Sequence, residues 1–204
     1  MTKSIPIMTQ SMRANDIPPL AIYLMKLPRM WFPCDIITGG VIINIFLGIF
    51  LIYIIWQIAL QIFQSKFLAG MAALLAASNP FLVEYSTQMT REIPYLFFAS
   101  CTVLFFVRFW QKQKWYDIIW AGISCSLSYL CRHEAFELYF ILGMICFFLC
   151  IGKIISWQKA AVSIPVFLTS GLISLLLCSW LIGCPIEYYY GAYSKMKVAI
   201  GWFI

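Results

Sequence analysis

The sequence predicts an all-α protein, a polytopic bundle of transmembrane helices. Three observations carry that prediction. Of the 204 residues, 63% are Ala, Val, Ile, Leu, Met, Phe, Trp, Tyr or Cys, where a soluble domain holds about 45–50% apolar residues. Charged residues make up 11%, against about 25% in a soluble domain, and mean hydropathy is +0.88. The apolar residues are gathered into six runs, near the length of about 20 residues that crosses a hydrocarbon core of about 30 Å as a helix. A soluble globule of this size needs more polar cover, and the same composition excludes a disordered chain and a disulfide scaffold.

The elements follow in order. Residues 1–35 contain no apolar run of signal-peptide or transmembrane length. Pro18-Pro19, the stretch LAIYLMKL, Pro28 and Trp31-Phe32-Pro33 instead predict a short interfacial helix in an extramembrane segment. The bundle is predicted over 36–183, with spans at about 36–62, 66–83, 93–110, 115–131, 135–152 and 160–183. Asn79-Pro80 stops the regular helix of the second run, because proline lacks an N–H and clashes with the preceding turn. Thr90 reads as the cap of the third span, with Glu92 and Pro94 in its first turn. Residues 184–204 read as a loop carrying Tyr188, Tyr189 and Tyr190, then VAIGWFI as the start of a further span.

The net charge of +6 arises from 14 Lys+Arg and 8 Asp+Glu. Basic residues stand in ones and twos between apolar runs, a topology signal and not a nucleic-acid footprint. Six crossings place Lys66, Arg108, Lys112, Lys114, Asp117, Lys153 and Lys159 on one side. Glu84, Arg91, Glu92, Arg132, His133, Glu134, Glu137, Glu187, Lys195 and Lys197 fall on the other. The positive-inside rule gives opposite answers with and without Lys3, Arg13, Lys26 and Arg29, so charge alone leaves orientation open. The eight cysteines form no CxxC pair; Cys146 and Cys150 share a helix face and read as packing residues.

Two polar clusters interrupt the apolar pattern on the acidic side. One is Glu84-Tyr85-Ser86-Thr87-Gln88-Met89-Thr90-Arg91-Glu92; the other is Arg132-His133-Glu134, with Glu137 one turn on. Ionisable groups at membrane depth are costly unless paired or wet, which makes them functional candidates. Each also has a structural reading. Glu92 favours the positive end of its helix, Arg91 and Arg132 can snorkel, and Glu137 can pair with Arg132 or face a wet cavity. His133 is the only histidine and lacks the companions a metal site needs.

In order and spacing, three segments resemble GT-C-type membrane glycosyltransferases, the relatives of protein O-mannosyltransferases and lipid A aminoarabinose transferases. PPLAIYLMKL resembles the family's PPLY-x-x-L. AGMAALLAASNPFLVEYSTQMTREIPYLFF resembles AALLAALSPALVRYSxxxxSExLxLFF, and AGISCSLSYLCRHEAFELYFIL resembles AGLLLGLAYLTRPEGLLLLL. The similarity covers about residues 16–150. Glu92 falls on the acidic residue that opens the family's fourth helix, Arg132 and Glu134 on its R-x-E, and Pro18-Pro19 on its proline pair. His133 stands where proline is common and Arg91 where the family has a small residue.

The resemblance implies an enzyme that transfers a hexosyl or pentosyl group from a polyprenyl-phosphate-sugar lipid to an acceptor lipid, glycan or protein. It implies residence in a bacterial inner (plasma) membrane, within the cell envelope, with the polar site facing outward. Arg91 and Arg132 are then the phosphate-holding cations, and Asp16, Glu92 and Glu134 the candidate bases. No cofactor is implied; divalent-metal dependence stays open, and the chain contains no DxD. The family carries a helix and an outer acidic loop ahead of this region, so the expectation is a fragment or shortened member, weak or inactive as a transferase when alone. Two other readings remain: a non-catalytic membrane protein of the same fold, and a polytopic lipid or sugar transporter. A transporter is expected to show paired broken helices in two halves, whereas this chain has one Asn-Pro break and no internal repeat.

Overall fold

A computed structural model describes residues 19–30, 33, 35–152 and 157–182, and among them every regular element is helical. The short α1 (Pro19–Lys26) runs into a 3₁₀ turn and is followed by the long α2 (Ile36–Phe63). Then come α3 (Lys66–Ala77), α4 (Pro80–Ser86), α5 (Glu92–Lys112) and α6 (Trp115–Cys131). A 3₁₀ turn at His133–Ala135 leads into α7 (Phe136–Ile151), and α8 (Trp157–Ile182) ends the described chain. The expected loop at 184–204 and the residues before Pro19, Asp16 included, lie outside the described residues.

Local chemistry explains the breaks. The Ser65 hydroxyl accepts from the Leu68 N–H at 3.5 Å and opens α3. At Pro80 the chain stops and restarts: Asn79 Oδ1 accepts from the N–H groups of Phe81 and Leu82 at 3.0 and 3.4 Å. The run expected as one helix over 66–83 is therefore two helices bent by 60°. Gln64 and Gln113 end α2 and α5 in the left-handed region, both at φ 53°, and each donates its N–H back into the last turn.

Among the described residues, α2, α5 and α8 are long and apolar enough to cross a membrane, and α3 with α4 passes the same test together, as a broken span or a re-entrant loop. The helices α6 and α7 have 17 and 16 residues. At about 1.5 Å per residue they reach about 24–26 Å, short of a hydrocarbon core of about 30 Å. The large apolar side chains of α2, α3, α7 and α8 are widely exposed, among them Phe67, Phe140 and Trp180, as lipid-facing surfaces are.

The core lies where α6 is enclosed by α5, α7 and α8. Phe106, Phe109, Ile118, Cys125, Leu142, Cys146 and Phe167 meet there. Small residues let the backbones approach closely. A Cβ on Gly122 would lie 2.1 Å from Ser170 Oγ and 2.5 Å from the Phe167 carbonyl, so only glycine fits. Four residues on, the Ser126 hydroxyl donates to the Gly171 carbonyl at 2.6 Å and lies 2.8 Å from the Tyr139 hydroxyl.

The antiparallel course gives the bundle two polar ends. At one end lie the starts of α2 and α5 and the ends of α6 and α8. There α1 is docked with Ala21 and Met25 buried, and the Tyr23 hydroxyl donates to the Ile182 carbonyl at 3.0 Å. At the other end Gln111 Nε2 donates to the Gln61 carbonyl at 2.7 Å, and Lys159 donates to Gln113.

Candidate functional site

Both polar clusters fall at the end where α5 begins and α6 finishes. The turn between α4 and α5 is held from inside the bundle by Asn44, a residue of α2 that is fully buried. Its Nδ2 donates to the carbonyls of Gln88 and Thr90 at 2.7 and 2.9 Å. Thr90 does not cap α5, contrary to the sequence expectation. Its hydroxyl donates back to the Tyr85 carbonyl at 3.2 Å and closes the turn, and the capping position passes to Arg91. Glu92 opens α5, with Ile93 and Pro94 buried behind it.

The second cluster reaches across to meet it. Extended backbone at Arg132 ends α6 and turns the side chain towards α5. Its guanidinium donates to Glu92, and its Nε lies 3.2 Å from a Glu134 carboxylate oxygen. The guanidinium also lies 5.5 Å over the Tyr95 ring. One turn back in α6, the Ser128 hydroxyl donates to the Tyr95 carbonyl at 3.3 Å, fixing α6 against α5. The rings of His133 and Tyr129 lie in a T-shaped arrangement with centroids 5.5 Å apart.

Arg132 is thus paired and partly covered, with 31% of its side chain exposed, and does not snorkel as a lone cation. It takes Glu92 and Glu134 as partners; Glu137, its expected alternative partner, lies exposed in the first turn of α7. Among the described residues no carboxylate pairs with Arg91, whose charge nonetheless acts on both His133 and Glu134. On the turn before it, Glu84 accepts from Gln88 Nε2 at 3.2 Å. Of the five candidate site residues, the structure brings Glu92, Arg132 and Glu134 into contact, sets Arg91 beside them, and does not describe Asp16.

The electrostatics follow the geometry. Burial favours the neutral forms of all three groups at the α6–α7 turn. For Arg132, the carboxylates of Glu92 and Glu134 outweigh burial and raise its proton affinity further. For Glu134, its own backbone hydrogen bond and Arg132 outweigh burial and hold the carboxyl below its ordinary range. For His133 burial dominates, with Arg91 adding to it against Glu134, and the imidazole is held below its ordinary pKa. At neutral pH the site therefore holds an ionised Glu134, a cationic Arg132 and a neutral His133. Among the described residues no group of three or more His, Cys, Asp or Glu side chains is placed to hold a metal ion.

Asn44 is the member of this site that the sequence reading missed. The available signal was a lone amide within an apolar run, since polar groups inside membrane segments are rarely idle. A sequence model of dolichyl-phosphate-mannose-protein mannosyltransferases matches residues 16–182, from ahead of α1 to the end of α8. No curated protein and no solved structure matches the chain.

Proposed function

This chain belongs to the dolichyl-phosphate-mannose-protein mannosyltransferase family, and we propose that it transfers a sugar from a polyprenyl-phosphate donor to an acceptor at the Arg132 end of the bundle. The observation that carries the reading is the contact of Arg132 with Glu92 and Glu134. It joins two turns 40 residues apart into one charged centre at one end of the bundle.

The chemistry suits these groups. The acceptor hydroxyl attacks the anomeric carbon, a new C–O bond forms, and the bond from that carbon to the phosphate oxygen breaks. The polyprenyl phosphate leaves with the electron pair and needs cations more than it needs a proton. Arg91, with no carboxylate partner among the described residues, receives the phosphate, and Arg132 supports it from between its two carboxylates. The acceptor proton goes to a carboxylate. Glu134 suits that role: it is ionised, and 53% of its side chain is exposed. Glu92, at 24%, is more enclosed and braces Arg132. Asp16 remains a further candidate base. The apolar tail lies along the exposed helix faces, and the site faces outward from the inner membrane.

The test compares donors. Membranes containing the chain are supplied with radiolabelled dolichyl-phosphate-mannose, other polyprenyl-phosphate hexoses and pentoses, or the corresponding nucleotide sugars. The proposal expects label to pass to a lipid, glycan or protein acceptor from a lipid-phosphate sugar alone. Transfer from the nucleotide sugar with none from any lipid donor would overturn it.

A further inference from the structure

The end of the bundle opposite Arg132 holds a cavity of about 250 Å³, lined by Phe109, Trp110, Gln113, Trp115 and Lys159. Three elements build it: the last turn of α5, the hairpin turn into α6, and the first turn of α8. Gln113 is its hinge. In the left-handed region, Gln113 donates its backbone N–H to the Phe109 carbonyl at 2.7 Å and ends α5 there. Its side-chain Oε1 accepts from Lys159 Nζ and so ties α8 to the hairpin. With that oxygen occupied, Nε2 is left as a donor. The rings of Phe109 and Trp115, 6.3 Å apart, form one wall.

Among the described residues, the exposed charges around this cavity are cationic. Lys112 and Lys114 are exposed on the same hairpin, with the Lys114 ammonium 5.5 Å over the Tyr116 ring. The hairpin's single carboxylate, Asp117, is 2% exposed and does not line the cavity. The first turn of α6 has no side-chain cap, and the Asp117 carboxylate within that turn offsets the positive partial charge of the helix start. A cation, a spare amide donor and aromatic walls together match a phosphate with an apolar neighbour. The size is near the lower limit of about 300 Å³ for small-molecule pockets, which fits a headgroup and not a whole lipid.

We propose that this cavity is a binding site for a phosphate ester, with Lys159 and Gln113 as its polar contacts and Trp110 and Trp115 covering the adjoining carbon skeleton. The site is separate from the sugar-transfer centre and does not depend on that reading. The ester is either the headgroup of an anionic lipid in the leaflet at this end or a soluble phosphate metabolite.

Native mass spectrometry of the purified full chain decides between these. The probes are phosphatidylglycerol, phosphatidylcholine and glycerol 3-phosphate. One phosphatidylglycerol is expected to be retained in preference to phosphatidylcholine. Its affinity is expected to fall about tenfold in Lys159→Gln, the effect of one charge-assisted hydrogen bond. Lys66→Gln, at the same end but outside the cavity, is expected to leave it unchanged. Gln113→Leu provides a second reading if Lys159→Gln does not fold. Binding of glycerol 3-phosphate that displaces the lipid supports the site and assigns it to a soluble ester. No preference for phosphatidylglycerol together with no glycerol 3-phosphate binding, or equal losses in Lys66→Gln and Lys159→Gln, would overturn the proposal and leave only general attraction of anions to lysines.

Discussion

The two ends of this bundle are closed by different physics. At the Arg132 end, α5 and α6 are joined through charges of opposite sign, and the turn before Glu92 is held from beneath by a buried amide. At the opposite end the helices stop at left-handed glutamines, side-chain amides bridge them, and Lys66, Lys112 and Lys114 are exposed. An exposed lysine end needs only water and headgroups to be satisfied. An end with half-covered ions of both signs must satisfy them internally, and desolvation makes that unfavourable unless each ion has its partner. The proposed function sets the chemistry at the first end, and the proposed phosphate site sets lipid contact at the second.

The contrast breaks most sharply under substitution. Arg132→Gln removes the partner of Glu92 and Glu134 and is expected to lower sugar transfer about 10²–10⁴-fold, the range of a lost charge-stabilising or acid–base group. Gln111→Leu at the other end is expected to leave transfer unchanged. Initial rates in matched membrane preparations check both, and equal effects at the two ends would erase the distinction.

The next effect is on stability. Asn44→Leu leaves the Gln88 and Thr90 carbonyls without their donor and is expected to cost about 1–3 kcal/mol. Gln111→Leu, which loses an exposed hydrogen bond, is expected to fall within about 0.5 kcal/mol. Thermal unfolding in detergent measures the pair. A smaller loss for Asn44→Leu than for Gln111→Leu would show that the turn before Glu92 does not need its clamp.

A smaller effect sharpens the electrostatic account. Glu134 is held below its reference pKa of 4.5. The backbone hydrogen bond of Glu134 and its pairing with Arg132 therefore contribute stability that is present above the unfolded pKa and lost as pH falls through the folded one. The acid limb of the activity profile is expected below pH 4.5 in the native protein and at higher pH in Arg91→Gln, because Arg91 is one of the charges lowering the Glu134 pKa. An acid limb that stays in place would detach Arg91 from Glu134.

Much of this fold was legible because membrane helices are written in composition and run length. The six apolar runs and the Asn79-Pro80 break needed only local chemistry, and both charged clusters were visible as interruptions. What was not legible depended on distant partners. Asn44 is 44 and 46 residues from the carbonyls it holds, and nothing in its apolar surroundings names them. Thr90 looked like a cap because it precedes an acidic first turn, but the tight turn after α4 brought the Tyr85 carbonyl nearer. Glu137 looked like a partner for Arg132 by helix spacing, yet the extended backbone at Arg132 aimed it towards α5.

The central claim is that Glu134 and Arg132 form the reacting centre and not merely a staple between α5 and α6. The most direct measurement is the initial rate of sugar transfer from a polyprenyl-phosphate donor by Glu134→Gln, with the unfolding temperature recorded on the same preparation. The amide keeps the size and can still accept from Arg132, so the account predicts a nearly native unfolding temperature with transfer reduced about 10²–10⁴-fold. A folded Glu134→Gln protein that turns over at the native rate would contradict it.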